Sequence, residues 1–193
     1  MINRHDRTDH AGPDAMVHAP TIAIIGLILM NIAFITSDST AMRVTDSDDI
    51  DPPAAPGAYA VQTTPDGDGI IPSWIETGTS PGAVKVRFAR LSSDPADPTA
   101  LTWSSPRTMA AGDDLFANWA DRPSIHRASD GGLIGHRLRK IGADTYAYGV
   151  MLSRSADEGR TWSDLGWLHD DAKAVEHGFV SAVPTRDGLR YVW

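Results

Sequence analysis

The chain has 193 residues, a formal net charge of −8 and no cysteine. The acidic balance, with no run of Lys or Arg that could neutralise phosphates, argues against a nucleic-acid partner. The lack of cysteine excludes disulfide bonds, thiolate metal ligands and a cysteine nucleophile. An acidic surface also opposes simple capture of anionic sugars, so binding of such a ligand would require a local arginine cluster.

The chain begins with a region that carries an apolar segment. Residues 20–35 hold no charge, Arg4 and Arg7 precede them, and the small residues 39–41 follow. This order is typical of a secretory signal peptide, which we predict over residues 1–41 as a hydrophobic helix.

Two alternatives remain for this segment. Residues 17–36 are just long enough to cross a bilayer as an uncleaved anchor to the inner membrane. A buried core helix is disfavoured because nothing later in the chain has the pattern of a helical partner. Both export interpretations predict a periplasmic or extracellular protein that meets a membrane only through this segment.

Residues 42–58 are rich in Asp, Pro, Ala and Ser, a composition that predicts a disordered linker. Its acidic stretch, residues 46–51, lacks the Gly and the final Glu of a calcium-binding loop, which favours a solvated segment. From residue 59 onwards, short apolar runs alternate with Gly, Asp and Pro turns, and no window shows helical periodicity. Residues 59–193 are therefore predicted to be all-β.

A repeat is visible within this β region. Turns at Asp66-Gly67-Asp68-Gly69, Asp130-Gly131-Gly132 and Asp187-Gly188 each precede an apolar run, at intervals of roughly 60 residues. A second series runs in step, because a strand-like segment ending at Trp103 parallels one ending at Trp162. Such intervals suit a four-stranded propeller blade with one long loop.

Residues 155–162, SADEGRTW, fit the pattern S-x-D-x-G-x-T-W at all five fixed positions. Asp and Gly are turn formers, whereas Thr and Trp favour strands. We predict a hairpin in which residues 146–154 form the incoming strand, a new strand starts at Thr161, and Trp162 anchors the core. The structural residues of the motif are Ser155, Asp157, Gly159, Thr161 and Trp162.

The motif resembles the Asp-box of the bacterial sialidase, or BNR, repeat. Residues 118–124, 146–148 and 176–181 add to the likeness, so that residues 59–193 resemble sialidase-like exported proteins. The resemblance implies the N-terminal part of a six-bladed β-propeller, with about two to three blades of four-stranded antiparallel sheets. An incomplete ring implies that the present segment is inactive alone.

Sialidases bind a substrate carboxylate through arginines and use an aspartate acid/base with a tyrosine nucleophile that a glutamate activates. The resemblance makes Asp121 and Glu176 candidate catalytic residues and Arg122, His177 and Trp119 candidate substrate-binding residues. The family has Arg-Ile-Pro where this chain has Asp121-Arg122-Pro123. The tyrosine nucleophile and the last arginine are expected in later blades.

Each candidate also has a structural interpretation. Asp121 is suited to a turn cap, Arg122 to a solvated or an ion-paired position, and the Glu176-His177 pair to a surface loop. The aromatic residues of these motifs could stack on a sugar ring or pack between blades, namely Trp119, Tyr146 and Tyr148.

The seven histidines include no pair at a metal-ligand spacing such as H-E-x-x-H. Asp170-Asp171 after His169 is too slight a pattern for a site, so the sequence predicts neither a metal nor a cofactor. Two functions remain: a sialidase-like glycoside hydrolase, or a non-catalytic propeller that binds glycans or proteins, with an inactive fragment as a form of the second.

Overall fold

The computed structural model describes residues 50–171 and 173–193, without the side chains of residues 98 and 99. The predicted signal or anchor segment, residues 1–41, lies outside these ranges, as does the first part of the predicted linker. Within the described ranges, no helix combines the length and the apolar character needed to span a bilayer.

The described residues form an all-β structure without a helix, as predicted. The strands, in chain order, are β1 Tyr59–Asp66, β2 Gly69–Thr77, β3 Val84–Phe88, β4 Leu91–Asp94, β5 Asp97–Trp103, β6 Arg107–Gly112, β7 Ser124–Arg127, β8 Leu133–Lys140, β9 Tyr148–Ser155, β10 Ser163–Trp167, β11 Ser181–Thr185 and β12 Gly188–Val192.

The first sheet has six strands and curls into a half-barrel. Its order is β5-β4-β2-β3-β6, and β1 pairs with β2 as well. Residues 71–76 of β2 are all buried, so this strand lies at the centre of the sheet with both faces covered. The sheet exceeds the predicted four strands because the β4–β5 hairpin, which ends at Trp103, joins β2 through the pair Ile70 and Leu91.

The second sheet is a four-stranded antiparallel meander in the order β10-β9-β8-β7. A two-stranded sheet, β11 and β12, follows it in the chain. Each predicted Asp-Gly turn joins two antiparallel neighbours, namely β1 and β2, β7 and β8, and β11 and β12. The fold is thus β-rich and partly propeller-like.

The S-x-D-x-G-x-T-W motif closes the hairpin between β9 and β10 through its own side chains. Ser155 Oγ accepts the Gly159 N–H at 2.8 Å, and Asp157 Oδ1 accepts the Thr161 N–H at 2.9 Å. The Thr161 hydroxyl donates to Asp157 Oδ2 at 2.7 Å. The bonds that Asp157 accepts, above all the one from the Thr161 N–H, hold its pKa well below the usual range. Thr161 belongs to this turn, and β10 begins at Ser163, two residues later than predicted.

Trp162 anchors the core, as predicted. Its ring meets Phe88 edge to face, with ring centres 5.9 Å apart, and packs against a cluster of buried apolar side chains from both large sheets. Gly159 has a φ of +77°, and a Cβ there would overlap the Phe88 ring. The motif therefore needs glycine for both its backbone and its packing. The cluster consists of Ile71, Val86, Phe88, Met109, Leu115, Ile125 and Leu133.

Asp66 links the two large sheets electrostatically. Its carboxylate is buried and accepts Arg127 Nε at 2.8 Å, Arg127 Nη2 at 3.1 Å and Arg90 Nε at 2.5 Å. Arg127 also donates to Glu158 at 2.6 and 3.0 Å, which connects the β1–β2 turn with the motif turn. Burial alone would raise the pKa of Asp66, but the bonds from Arg127 and Arg90 outweigh it and lower that pKa.

We expect Asp66→Asn to lower the free energy of unfolding by about 2 kcal/mol at neutral pH, because it leaves two arginines without a buried anion. The pKa of Asp66 is lowered in the folded state, so its stabilisation is present above the unfolded carboxyl pKa and is lost as pH falls through the folded pKa. Urea unfolding should therefore show a difference between the two proteins that shrinks below about pH 4.

Asp68→Asn is the matched control, because Asp68 is exposed and its carboxylate pairs with Arg90 at 3.2 Å. Its change should stay within about 0.5 kcal/mol. Equal losses in the two variants would contradict the assigned role of Asp66.

Candidate functional site

Asp121 lies in the loop between β6 and β7, and Asn118 shapes that loop. Asn118 Oδ1 accepts the N–H groups of Ala120 at 2.8 Å and Asp121 at 2.6 Å, which closes a tight turn. Asn118 Nδ2 donates to Asp121 Oδ2 at 2.9 Å. As a result, the Asp121 carboxylate points inward and is only 5 % exposed.

Tyr148, the first residue of β9, carries a phenol that lies between two carboxylates. The residue has no exposed surface, and its ring stacks on Phe116 with the centres 3.8 Å apart. The hydroxyl lies 2.5 Å from Glu176 Oε1 and 3.4 Å from Asp121 Oδ2. A phenol has one proton, so the shorter distance assigns it to Glu176. Burial first, and then the bond to Glu176, raises the pKa of Tyr148 well above its usual value.

The segment 176–179 attaches to this pair through its backbone. Glu176 forms a parallel bridge with Tyr148, and the His177 N–H donates to the Tyr148 carbonyl at 3.1 Å. The Phe179 N–H donates to Asp121 Oδ1. A Cβ on Gly178 would lie 2.7 Å from Asp121 Oδ1, so glycine permits this close approach. We call Asn118, Asp121, Tyr148 and Glu176 the Asp121 cluster.

A polar cleft of about 350 Å³ opens beside the cluster, bounded by the β6–β7 loop, β7, β8 and the start of β11. We call it the Arg122 cleft. Arg122 is exposed, and its guanidinium has no hydrogen-bond or ion-pair partner among residues 50–171 and 173–193. The cation is therefore free to take an anion. The residues that line the cleft include Asp121, Arg122, Ser124, His126, His136 and Phe179.

Two histidines and a serine form a hydrogen-bonded chain in the wall of the cleft. His136 Nε2 lies 3.0 Å from the Arg122 carbonyl, so this nitrogen must carry the proton. His136 Nδ1 then accepts the Ser124 hydroxyl at 2.8 Å, and Ser124 Oγ accepts His126 Nε2–H at 3.0 Å. Burial lowers the pKa of His136 to about 4 and also lowers that of His126. At neutral pH the wall is thus polar and uncharged.

The structure brings some predicted site residues together and separates others. Asp121 and Glu176 both meet the Tyr148 hydroxyl, and Arg122 lies in the adjoining cleft. Trp119 is 81 % exposed in the same loop but does not line the cleft. His177 points elsewhere, toward Asp171, and the S-x-D-x-G-x-T-W turn lies outside the cleft.

Sequence reasoning missed two parts of the site. The sequence predicts only stacking or packing for Tyr148, whereas its hydroxyl lies between the two predicted carboxylates. Ser124, His126 and His136 were not predicted at all. The strand register could have identified these three residues, because Ser124 and His126 share one face of β7 and His136 is the cross-strand partner of Ser124.

A scan against protein-family models, a search of curated proteins and a search of solved structures each found no match to this chain. The resemblance to sialidase-like proteins therefore stays a prediction.

The buried phenol gives a spectroscopic prediction. Because the folded pKa of Tyr148 is raised, the stability that the neutral phenol contributes is present below the unfolded pKa of about 10 and is lost at higher pH. We expect the difference in phenolate absorbance between the native protein and Tyr148→Phe to stay constant as the pH is raised, until the protein unfolds. Phenylalanine keeps the stack on Phe116, so the folds remain comparable.

Glu176→Gln provides the companion measurement. It removes the negative charge beside the hydroxyl, so we expect Tyr148 to ionise at a lower pH than in the native protein. A native difference curve that titrates near pH 10, as a phenol does in water, would contradict the buried geometry.

Proposed function

We propose that this protein is sialidase-like and recognises acidic glycans in the Arg122 cleft. The observation that carries the proposal is the Arg122 guanidinium, which lines a polar cleft of about 350 Å³ and has no partner in the described part of the chain. A guanidinium matches a carboxylate in geometry and can bind it through two hydrogen bonds. The cleft is of the size that small-ligand sites occupy, roughly 300 to 1,000 Å³.

The remaining groups of the cleft suit a sugar. Asp121 accepts two hydrogen bonds, from Asn118 Nδ2 and the Phe179 N–H, and a carboxylate has about four acceptor positions, so acceptor capacity is left for a ligand hydroxyl. Phe179 is 66 % exposed at the edge of the cleft and offers an apolar face to a sugar ring. The uncharged histidines add polarity without a second charge.

The fold is compatible with this interpretation. The meander of β7 to β10 has the strand order of a propeller blade, and the S-x-D-x-G-x-T-W turn closes its outer hairpin. We infer a partial propeller of the kind that sialidase-like proteins have, in a protein exported through its N-terminal segment.

Binding is testable with the full-length protein and sialyllactose. We expect Arg122→Gln to weaken binding at least tenfold, because the charge-assisted pair with the sugar carboxylate is worth roughly 1.5 to 3 kcal/mol. Arg186→Gln is the matched control, since Arg186 is exposed, lies in the β11–β12 turn and does not line the cleft. Calorimetry should show no binding of lactose, which lacks the carboxylate.

Equal affinity of the native protein and Arg122→Gln would overturn the role given to Arg122. Equal affinity for sialyllactose and lactose would overturn the preference for acidic glycans.

Hydrolysis of the bound glycoside is a second candidate function, favoured by the contact of Tyr148 with two carboxylates. In this reaction the phenol oxygen bonds to the anomeric carbon while Glu176 takes the phenol proton, and Asp121 in its acid form protonates the departing oxygen. Water then attacks the anomeric carbon while Asp121 takes a proton from it, and Glu176 returns its proton to the departing Tyr148 oxygen. Because Tyr148 has no exposed surface, the segment 176–179 must move before a sugar can reach its hydroxyl.

A fluorogenic sialoside tests this second function. If it holds, Asp121→Asn, Tyr148→Phe and Glu176→Gln should each lower kcat by at least about a hundredfold, whereas Arg122→Gln should mainly raise KM. Turnover by the native protein that equals turnover by these variants would exclude hydrolysis. Sialyllactose binding measured in parallel keeps the two functions separable.

A further inference from the structure

We propose that His169, Asp171 and His177 form a binding site for a divalent transition metal of the zinc class. The proposal does not depend on the function assigned to the Arg122 cleft. It arises from the segment between β10 and β11, in which eight chain positions separate the two histidines but the fold brings their side chains together. One ligand atom from each of the three residues lies within 4.8 Å of the others.

The geometry centres on one carboxylate oxygen. Asp171 Oδ1 lies 3.1 Å from His169 Nδ1 and 3.0 Å from His177 Nε2. Ligand atoms about 2.0 to 2.1 Å from a tetrahedral zinc ion are about 3.3 Å apart, so both distances are close to those of a coordinated set. The two imidazole rings stack with their centres 3.9 Å apart, and they present nitrogens to the same oxygen from one side.

Both histidines are buried, and His169 Nδ1 lies 3.0 Å from the Asp171 carbonyl as well as 3.1 Å from its Oδ1, so without an ion this nitrogen carries a proton that metal binding must displace. Their side chains are 5 % and 14 % exposed, for His169 and His177 respectively. His177 Nε2 is close to Asp171 Oδ1 but lacks hydrogen-bond geometry, and this buried nitrogen has no hydrogen-bond partner among the described residues. His169 Nε2 is buried and likewise without a partner in the described part of the chain. Buried polar atoms normally have partners, and a metal ion would supply one to His177.

The fold holds His169 in position through a neighbouring strand. A Cβ on Gly149 would overlap the His169 ring, so only glycine at this position in β9 lets the imidazole lie against the backbone. The Trp167 ring lies beside His169, with the ring centres 5.7 Å apart, and also lies close to Gly149. The ring orientation is therefore set before any ion binds, which reduces the entropic cost of coordination.

Access comes from a cleft of about 510 Å³ that Trp167, His169 and Asp171 line. An ion held by three protein ligands has a fourth tetrahedral position, and solvent or an anionic ligand can reach it from this cleft. Arg139 and Lys140 also line the cleft, but Arg139 pairs with Asp114 at 2.6 Å and Lys140 bonds the Asp113 carbonyl. Their charges are thus partly offset.

The ligand set selects the metal class. Imidazole nitrogens with one carboxylate suit Zn²⁺, Co²⁺, Ni²⁺ and Cu²⁺, whereas Ca²⁺ and Mg²⁺ require mainly oxygen ligands. The sequence gives little sign of the site because the spacing H-x-D followed by a distant H is not a recognised zinc signature.

The test is titration of the full-length protein, in mild detergent, with Zn²⁺ under calorimetry. His5, His10 and His18 are replaced by Asn in the background protein, because imidazoles near the N-terminus could also bind the ion. We expect one saturable site per chain. Each of His169→Gln, Asp171→Asn and His177→Gln should weaken Zn²⁺ binding by at least about tenfold, with circular dichroism confirming the native β-structure.

Two further variants separate coordination from bulk charge. Asp170→Asn removes the neighbouring carboxylate in the same cleft and should change the affinity by less than about twofold. Gly149→Ala keeps every ligand but displaces His169, so it should weaken binding as the ligand variants do.

Co²⁺ should quench Trp167 fluorescence, and the quench should disappear in Trp167→Phe but persist in Trp119→Phe.

Absence of saturable Zn²⁺ binding would overturn the proposal, as would unchanged affinity in the three ligand variants. Equal weakening by Asp170→Asn and Asp171→Asn would show a diffuse electrostatic effect and would likewise overturn it.

Discussion

The buried carboxylate of Asp66 is the contact on which the arrangement of the two large sheets depends. Arg127 donates to it through two nitrogens and extends to Glu158 in the motif turn, so two separate turns share one guanidinium. The apolar core beneath these charges draws Ile71 and Phe88 from one sheet and Ile125 and Leu133 from the other. Apolar packing brings the sheets together without direction, whereas the bidentate pair fixes their register.

A second carboxylate, Asp121, performs a similar task on the functional side. It accepts hydrogen bonds from the β6–β7 loop and from the segment 176–179, and the Tyr148 hydroxyl at the start of β9 lies 3.4 Å from its Oδ2. The Arg122 cleft lies on one side of this junction. His177 of the proposed metal site belongs to the same segment, because it directly follows the glutamate that holds Tyr148. Movement of this segment on ligand binding would therefore change the geometry of both the Arg122 cleft and the proposed metal site.

The sequence was sufficient for the features that local chemistry determines. The Asp-Gly turns, the all-β class and the packing of Trp162 against the core follow from turn formers, strand propensity and a motif in which Ser155, Asp157 and Thr161 bond within the turn. The extra β4–β5 hairpin, the chain from Ser124 to His136 and the phenol between Asp121 and Glu176 could not be derived in this way. They depend on which strands become neighbours and in which register, and these long-range pairings leave no local pattern.

The self-contained bonding of the β9–β10 turn has a kinetic consequence. The contacts of Ser155 and Asp157 within the turn reach only two to four positions along the chain, so closing this loop costs little chain entropy and needs no other part of the fold. Contacts of short sequence separation form early, whereas the Asp66 to Arg127 pair must wait for 61 positions of chain to be brought together. The hairpin is thus a natural nucleus, on which β8 and then the rest of the curled sheet can assemble.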